Sequence, residues 1–255
     1  MGGRNPFHYI IRMGECIMFS FNSRIRFSEV NEKNQLDFAS IINYFQDLSM
    51  FHSEEMGLGL EFFKEKKRAW LLNSWQINVK RFPTIFEDIK ISTYPYLVKG
   101  FMGYRNFTIT DKQDNLCVIA DSSWIYVDIE KNRPVRALEE EIKPYGIDPK
   151  LEMNYIKGRI LVPENMKTRE AFEIMPSYID SNHHVNNGQY VKLAENFLMS
   201  GFQANQLRVE YRKAAKLHDI IYPAFHVSEN TNIICLNNES GKPYAIIEFS
   251  NTGGL

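Results

Sequence analysis

Two stretches of this chain, 149 positions apart, carry the same order of elements, and that repetition constrains the fold more than any other feature. The first is "EVNEKNQLDFASIINYFQD" and the second "YIDSNHHVNNGQYVKLAEN", which set Leu36 against Val185 and Tyr44 against Leu193. Each carries a helical period. In the first, Phe38, Ile41, Ile42, Phe45 and Leu48 form one apolar stripe behind Asp37, a candidate N-cap, and "GLGL" stops the helix. In the second, Tyr190, Ala194, Phe197 and Leu198 share a face and Gly201 is the expected stop. Alternating segments surround both. "FSFNSRIRF", "SWQINVKRF", "DIKISTYPYLV", "FMGYRNFTITD" and "LCVIADSSWIYVD" flank the first helix. "AFEIMPSYID", "QLRVEYRKA", "DIIYPAFHV", "NIICLNNE" and "PYAIIEFSN" flank the second. Further on, "FEDIKI" parallels "LHDIIY" at a shorter spacing. One long helix with a run of antiparallel strands is an α+β layout, satisfied by a sheet wrapped around the helix.

Between the repeats, residues 131–165 carry Pro134, Pro144, Pro149 and Pro163 and few strand signals, so the linker is placed there. The expected division is residues 1–145 and 146–255, with one continuous mixed sheet as the alternative. A chain of 255 residues, 44% of them apolar, is long enough for two cores. Thirty Lys and Arg against 31 Asp and Glu do not favour a nucleic-acid partner. Cys16, Cys117 and Cys235 form no metal-ligand pair and read as reduced thiols. No apolar run reaches a membrane span, and the opening residues lack the apolar core of a signal peptide, so a cytoplasmic protein is expected. The first ~15 residues read as an irregular extension.

The stretch with most chemistry is "YIDSNHHVNNGQYV", residues 178–191. Asp180, Asn182 and His184 stand just before a helix whose Asn186 and Gln189 suggest a capping arrangement. A loop held there sees free N–H groups and the positive end of the helix dipole, which favour a developing oxyanion. A neutral imidazole or a carboxylate can take a proton from water near neutral pH, and an amide can orient the water or a carbonyl. The competing reading is an Asx-turn loop whose polar residues serve only the backbone. No zinc-helix spacing of histidines is present, so no metal and no cofactor is expected.

"DSNHHVNNGQYV" resembles the D-x-N-x-H-V-N-N-x-x-Y signature of plant and bacterial acyl-ACP thioesterases. "SEVNEKNQLDFASIINYFQDLSMFHSEEMGLG", "WLLNSWQINVKRFPTIFEDIKIST" and "GFMGYRNFTITDKQDNLCVIADSSWIYVDIEKNRPVR" are similar to that family's first half. The resemblance runs from about residue 19 to near the C-terminus. It implies two tandem hotdog domains, the first shaping the acyl pocket and the second holding the chemistry. It also implies hydrolysis of fatty acyl-ACP to free fatty acid in fatty acid biosynthesis. Asn182 and His184 would then position and activate water, with Asp180 orienting the amide. Asn186, Asn187, Ile42, Phe45 and Trp75 are assigned to the substrate; Leu48, Trp70 and Phe101 are further candidates for the slot.

One position departs from the family pattern. The family continues past its "EYR" strand with Glu and a small residue such as Cys, whereas this chain has Ala214 and Ala215. Glu210 would lie ~13 Å from position 214 along a strand, too far to substitute. The expected partner is an acidic acyl carrier protein. "KEKKR" at 64–68 and the group Arg208, Arg212, Lys213, Lys216 are its candidate basic surfaces. The expected molecule is a monomer or homodimer with no membrane insertion. The alternatives are an acyl-CoA thioesterase, a hotdog dehydratase, and an acyl-binding protein without catalysis, the last suggested by Ala214 and Ala215.

Overall fold

The alternating segments pair into one antiparallel sheet in the computed structural model, which describes residues 9–13 and 16–253, with side chains from residue 18. The first half runs β1 (Tyr9–Met13), β2 (Cys16–Arg24), α1 (Phe38–Glu55), α2 (Leu60–Lys66), β3 (Arg68–Val79), β4 (Asp88–Lys99), β5 (Met102–Asp111), β6 (Leu116–Asp128) and β7 (Arg133–Pro134). The second half runs β8 (Lys167–Thr168), β9 (Phe172–Glu173), α3 (Asn187–Glu195), β10 (Gln206–Tyr211), β11 (Ile220–Val227), β12 (Thr231–Asn237) and β13 (Pro243–Ser250). The sheet order is β1-β2-β4-β5-β6-β3-β10-β13-β12-β11-β8, with β7 on β6 and β9 on β11. This order is a mirror. The strand after each helix, β3 or β10, lies at the centre, and the two pair antiparallel with Trp75 opposite Val209. The α+β hotdog arrangement expected from the sequence is present, and its two halves share the sheet.

Each helix packs its apolar stripe on the concave face. Asp37 caps α1 by accepting the Ser40 N–H at 2.7 Å, and Phe38, Ile41, Ile42, Phe45 and Leu48 are buried beneath it. The Phe45 ring packs tilted against Phe107 and Trp75, with centroids 4.8 and 5.7 Å away. Each such fully buried side chain contributes roughly 1.5–3 kcal/mol. The far end of α1 carries a polar knot. Arg105 donates to His52 Nδ1 at 3.0 Å, and burial together with that guanidinium depresses the imidazole to about 2, so His52 is a neutral acceptor.

Several expectations change. Residues 9–13 form a strand on β2, with Tyr9 opposite Ser20, and the rest of the supposed extension lies outside the described residues. "GLGL" ends α1 but also opens the short α2, with Gly59 as its N-cap. The second helix stops at Glu195, six residues before Gly201, because the Asn196 amide turns back onto the Leu193 carbonyl at 3.1 Å. Phe197 and Leu198 pack on the core from beyond it. The "AFEIMPSYID" segment shrinks to β9 and a 3-10 turn, Pro176–Tyr178, which starts where Pro176 brings no N–H to a ladder.

Residues 146–160 cross the convex face. Tyr94 donates to the Pro149 carbonyl at 2.9 Å, Leu151 N–H to Asn106 Oδ1 at 3.0 Å, Ile156 N–H to Gln76 Oε1 at 2.9 Å and Ile160 N–H to Glu210 Oε1 at 2.7 Å. Outward-facing polar residues of β3, β5 and β10 thereby take up the backbone groups of an irregular segment. The expected proline-rich linker is thus a strap over the sheet.

Candidate functional site

The loop before α3 is built by its own side chains. Asp180 Oδ1 accepts the N–H groups of Asn182 at 2.8 Å and His184 at 3.4 Å, while Asp180 N–H donates to the His184 carbonyl at 2.8 Å. His183 turns the corner at φ 60°, in the left-handed region that few side chains favour. Val185 N–H then donates to the Ala215 carbonyl, and Asn186 caps α3 by accepting the Gly188 N–H at 2.8 Å. The cap uses Gly188 alone. Gln189 contributes only its N–H, to the Asn186 carbonyl, so the expected reciprocal arrangement of Asn186 and Gln189 is a single cap.

The first half repeats this loop bond for bond at the spacing of 149. Asn31 Oδ1 accepts Lys33 N–H at 2.9 Å and Gln35 N–H at 3.2 Å, and Asn34 turns at φ 57°. Leu36 N–H donates to the Pro83 carbonyl as Val185 does to Ala215. That pairing, with Glu87 N–H to Thr84 O matching Asp219 N–H to Lys216 O, corrects the downstream comparison by one residue: Phe86 corresponds to His218, not Leu217. Both turn in the left-handed region, at φ 66° and 67°.

The loop opens on a cavity of about 810 Å³ between the two halves. Ser177, Tyr178, Ile179, Asp180, Asn186 and Gln189 form one side. The other side is a face of α1 that carries Ser40, Asn43, Tyr44, Asp47 and Phe51, polar but for the last. Residues around β2 complete it, among them Ser23, Arg26 and Glu29. The halves meet tightly at its base. A Cβ on Gly188 would stand 2.8 Å from Asn43 Oδ1 and 3.0 Å from the Ala39 carbonyl, so only glycine lets the helices approach so closely. Asn187 Nδ2 donates to Gln46 Oε1 at 2.5 Å, and its carbonyl accepts the Tyr211 hydroxyl at 3.0 Å.

The residues singled out from sequence therefore divide. Asp180 and Asn186 border the cavity; Asn182, exposed, and His184, half-buried, stand on the same loop; Asn187 braces the helix contact. Ile42, Phe45 and Trp75 are packed core, at most 2% exposed, and none borders this cavity. Glu210 is committed to Ile160 N–H and Arg212. The side of α1 that faces the cavity escaped the sequence reading, which followed only the apolar stripe. The signal was a polar stripe at the same period: 40, 43, 44 and 47.

Burial and hydrogen bonding shape the electrostatics. Burial pushes the Tyr44 phenol up to about 12, and Tyr44 donates to Glu29 at 2.8 Å. Burial also raises Asp47, against the pull of Arg26 and with the help of Glu29. The basic stretch at 64–68 is largely neutralised: Lys66 pairs with Glu140 at 3.2 Å, Lys67 with Glu130 at 2.5 Å and Arg68 with Asp128 at 2.8 Å. A second basic groove, of about 700 Å³, is lined by Arg159, Arg212, Lys213 and Lys242, two residues before Ala215. Among the described residues, Glu87, Asp111 and Cys117 form a cluster of metal-ligand type. Arg81 sits within it, at 2.6 Å from Glu87 and 3.0 Å from Cys117.

The family model described as the acyl-ACP thioesterase N-terminal domain matches residues 17–145. A chloroplastic acyl-[acyl-carrier-protein] hydrolase of Cuphea viscosissima is 23% identical over 223 residues, covering 80% of this chain and 54% of its own length. A chloroplastic palmitoyl-acyl carrier protein thioesterase of Gossypium hirsutum is 22% identical, covering 87% and 58%. The chain thus spans a little over half the length of these relatives. Among solved structures, an acyl-ACP thioesterase from Bacteroides thetaiotaomicron superposes with a TM-score of 0.84 at 19% identity, covering 91% of this chain and 97% of that one. The 12:0-ACP thioesterase from Umbellularia californica gives 0.80 at 17% identity, covering 91% and 96%. At such identities the structures establish the shared fold. No helix among the described residues is long and apolar enough to cross a membrane.

Proposed function

Because the chain belongs to the acyl-ACP thioesterase family, we propose that it hydrolyses fatty acyl-ACP to a free fatty acid and the carrier thiol, at the loop Asp180–Asn186. The two halves, residues 1–145 and 146–255, act as a pair: the first supplies the helix wall and the second the loop. The observation that carries this reading is the cavity of about 810 Å³ that Asp180 and Asn186 share with the polar stripe of α1. It offers a thioester both a reactive loop and a wall from the other half.

On this reading the carbonyl lies toward the start of α3, where the helix dipole favours negative oxygen. Asn182 and His184 hold the water and the carbonyl. Asp180 keeps them in place through the turn it caps, with bonds of 2.8 and 3.4 Å. The carrier's acidic surface meets the groove of Arg159, Lys213 and Lys242 rather than the 64–68 stretch, whose cations already have carboxylate partners. A cytoplasmic setting fits the same reading. Ala214 and Ala215 favour a second reading, an acyl-binding protein that releases no product.

Incubation with acyl-ACPs of graded chain length, followed by quantification of free fatty acid, separates the two. Catalytic release from acyl-ACP is expected, with slower release from acyl-CoA. Stoichiometric binding without release overturns hydrolysis.

A further inference from the structure

Three exposed cations, Arg159, Lys213 and Lys242, meet in the basic groove of about 700 Å³, and none has a carboxylate at ion-pair distance among the described residues. The fourth, Arg212, is taken by Glu210. Each free cation arrives on a different element, and each element is tied down. The strap carries Arg159 between two anchors on β10: Arg208 donates to the Gly158 carbonyl at 2.8 Å, and Ile160 N–H donates to Glu210 Oε1 at 2.7 Å. The turn from β12 to β13 carries Lys242, and Asn238 Oδ1 accepts its N–H at 2.9 Å and that of Ser240 at 3.0 Å. The chain leaving β10 carries Lys213, whose ammonium stands 5.9 Å from the centre of the Tyr244 ring. Like charges gathered in this way repel one another unless an anion sits among them. The groove also adjoins the proposed loop. Two residues beyond Lys213, Ala215 N–H donates to the Tyr190 hydroxyl at 2.7 Å, and the Ala215 carbonyl accepts Val185 N–H at 2.9 Å. Two residues of extended chain and one strand-to-strand step make that path roughly 12 Å long. Ala214 stands exposed along it, with only a methyl group to pass.

We propose that this groove binds the phosphate at the root of the carrier's pantetheine arm, so that the thioester at the far end of the arm reaches the loop at 180–186. The inference rests on the thioesterase reading above and names the anion on the carrier that the groove takes. Of the carrier's anions, the phosphate is the one tethered to the thioester, so a phosphate subsite belongs within an arm's length of the reactive loop. Its oxygens can accept from donors that converge from three elements, and the planar guanidinium of Arg159 can meet two of them in parallel. The arm beyond the phosphate is uncharged and needs no cation as it passes Ala214. The strap between the two halves thereby gains a role beyond covering the sheet: it delivers Arg159.

The test compares two small substrates, an acyl-phosphopantetheine and the acyl-pantetheine that lacks its phosphate, in the full chain and in the double variant Arg159→Ala/Lys242→Ala. The parent is expected to favour the phosphorylated substrate by about 10-fold in kcat/KM, carried by KM, and to lose that preference as salt is added. In the double variant the ratio is expected to fall toward unity, while Lys242→Arg keeps it. A parent without preference overturns the proposal, and so does a double variant that retains the parent's ratio. A double variant that binds acyl-ACP more weakly yet retains the ratio overturns it in favour of the carrier's surface carboxylates. If the double variant unfolds, Lys242→Ala alone carries the comparison. None of these results touches hydrolysis itself. A parent that releases no fatty acid from any substrate removes the thioesterase reading; calorimetric titration with the same two compounds then decides the groove, and equal Kd values overturn it.

Discussion

The loops at 31–37 and 180–186 are one backbone object with two sets of side chains. Both cap with an Asx oxygen, turn on a left-handed residue and hand their last N–H across to a strand-end carbonyl. The first carries Asn31, Lys33 and Gln35 where the second carries Asp180, Asn182 and His184. They also face different helices. The second loop looks onto α1, 18 residues long, whose extra turns bring Asp47 and Phe51 to the cavity. The first looks onto α3, nine residues long, where the position matching Asp47 is Asn196, spent on closing its own helix. The two copies thus share a frame and differ in three side chains and in the length of the helix they face, and the proposed function places the chemistry in the second.

The comparison breaks most visibly under substitution of the imidazole. His184→Ala is expected to lower kcat on acyl-ACP by about 10²–10⁴-fold with the fold retained, whereas Gln35→Ala at the matching position leaves turnover within about twofold. Equal losses, or none in His184→Ala, would erase the distinction between the loops. The helix crossing is next. Gly188→Ala forces the new methyl into Asn43 Oδ1 and the Ala39 carbonyl and is expected to cost about 1–3 kcal/mol, read by denaturant unfolding. The matching Ala39→Gly adds no atoms and is expected to cost only about 0.5–1 kcal/mol, the penalty for glycine in a helix. The smallest effect should be the most symmetric. Asp37→Ala and Asn186→Ala each remove one N-cap and are expected to cost about 1 kcal/mol. Only the second should also disturb acyl-ACP turnover, since only Asn186 borders the cavity.

The sequence alone determined the repeat, the apolar stripe of α1, the Asp37 cap and the loop at 180–186. All are local: period, cap residue and turn residue act within a few positions. It misjudged the end of α3, where one Asn side chain decides, and missed α2, whose seven residues are too few for a clear period. Only the tertiary structure decided that β3 pairs with β10, that the linker is a strap held by outward polar residues, and that Ile42, Phe45 and Trp75 are core. It alone placed Asp47 in the cavity with a loop 133 residues further along the chain. Such juxtapositions follow from how two amphipathic helices cross on a shared sheet. A polar residue on a helix reads alike whether it faces open water or a site built by the other half.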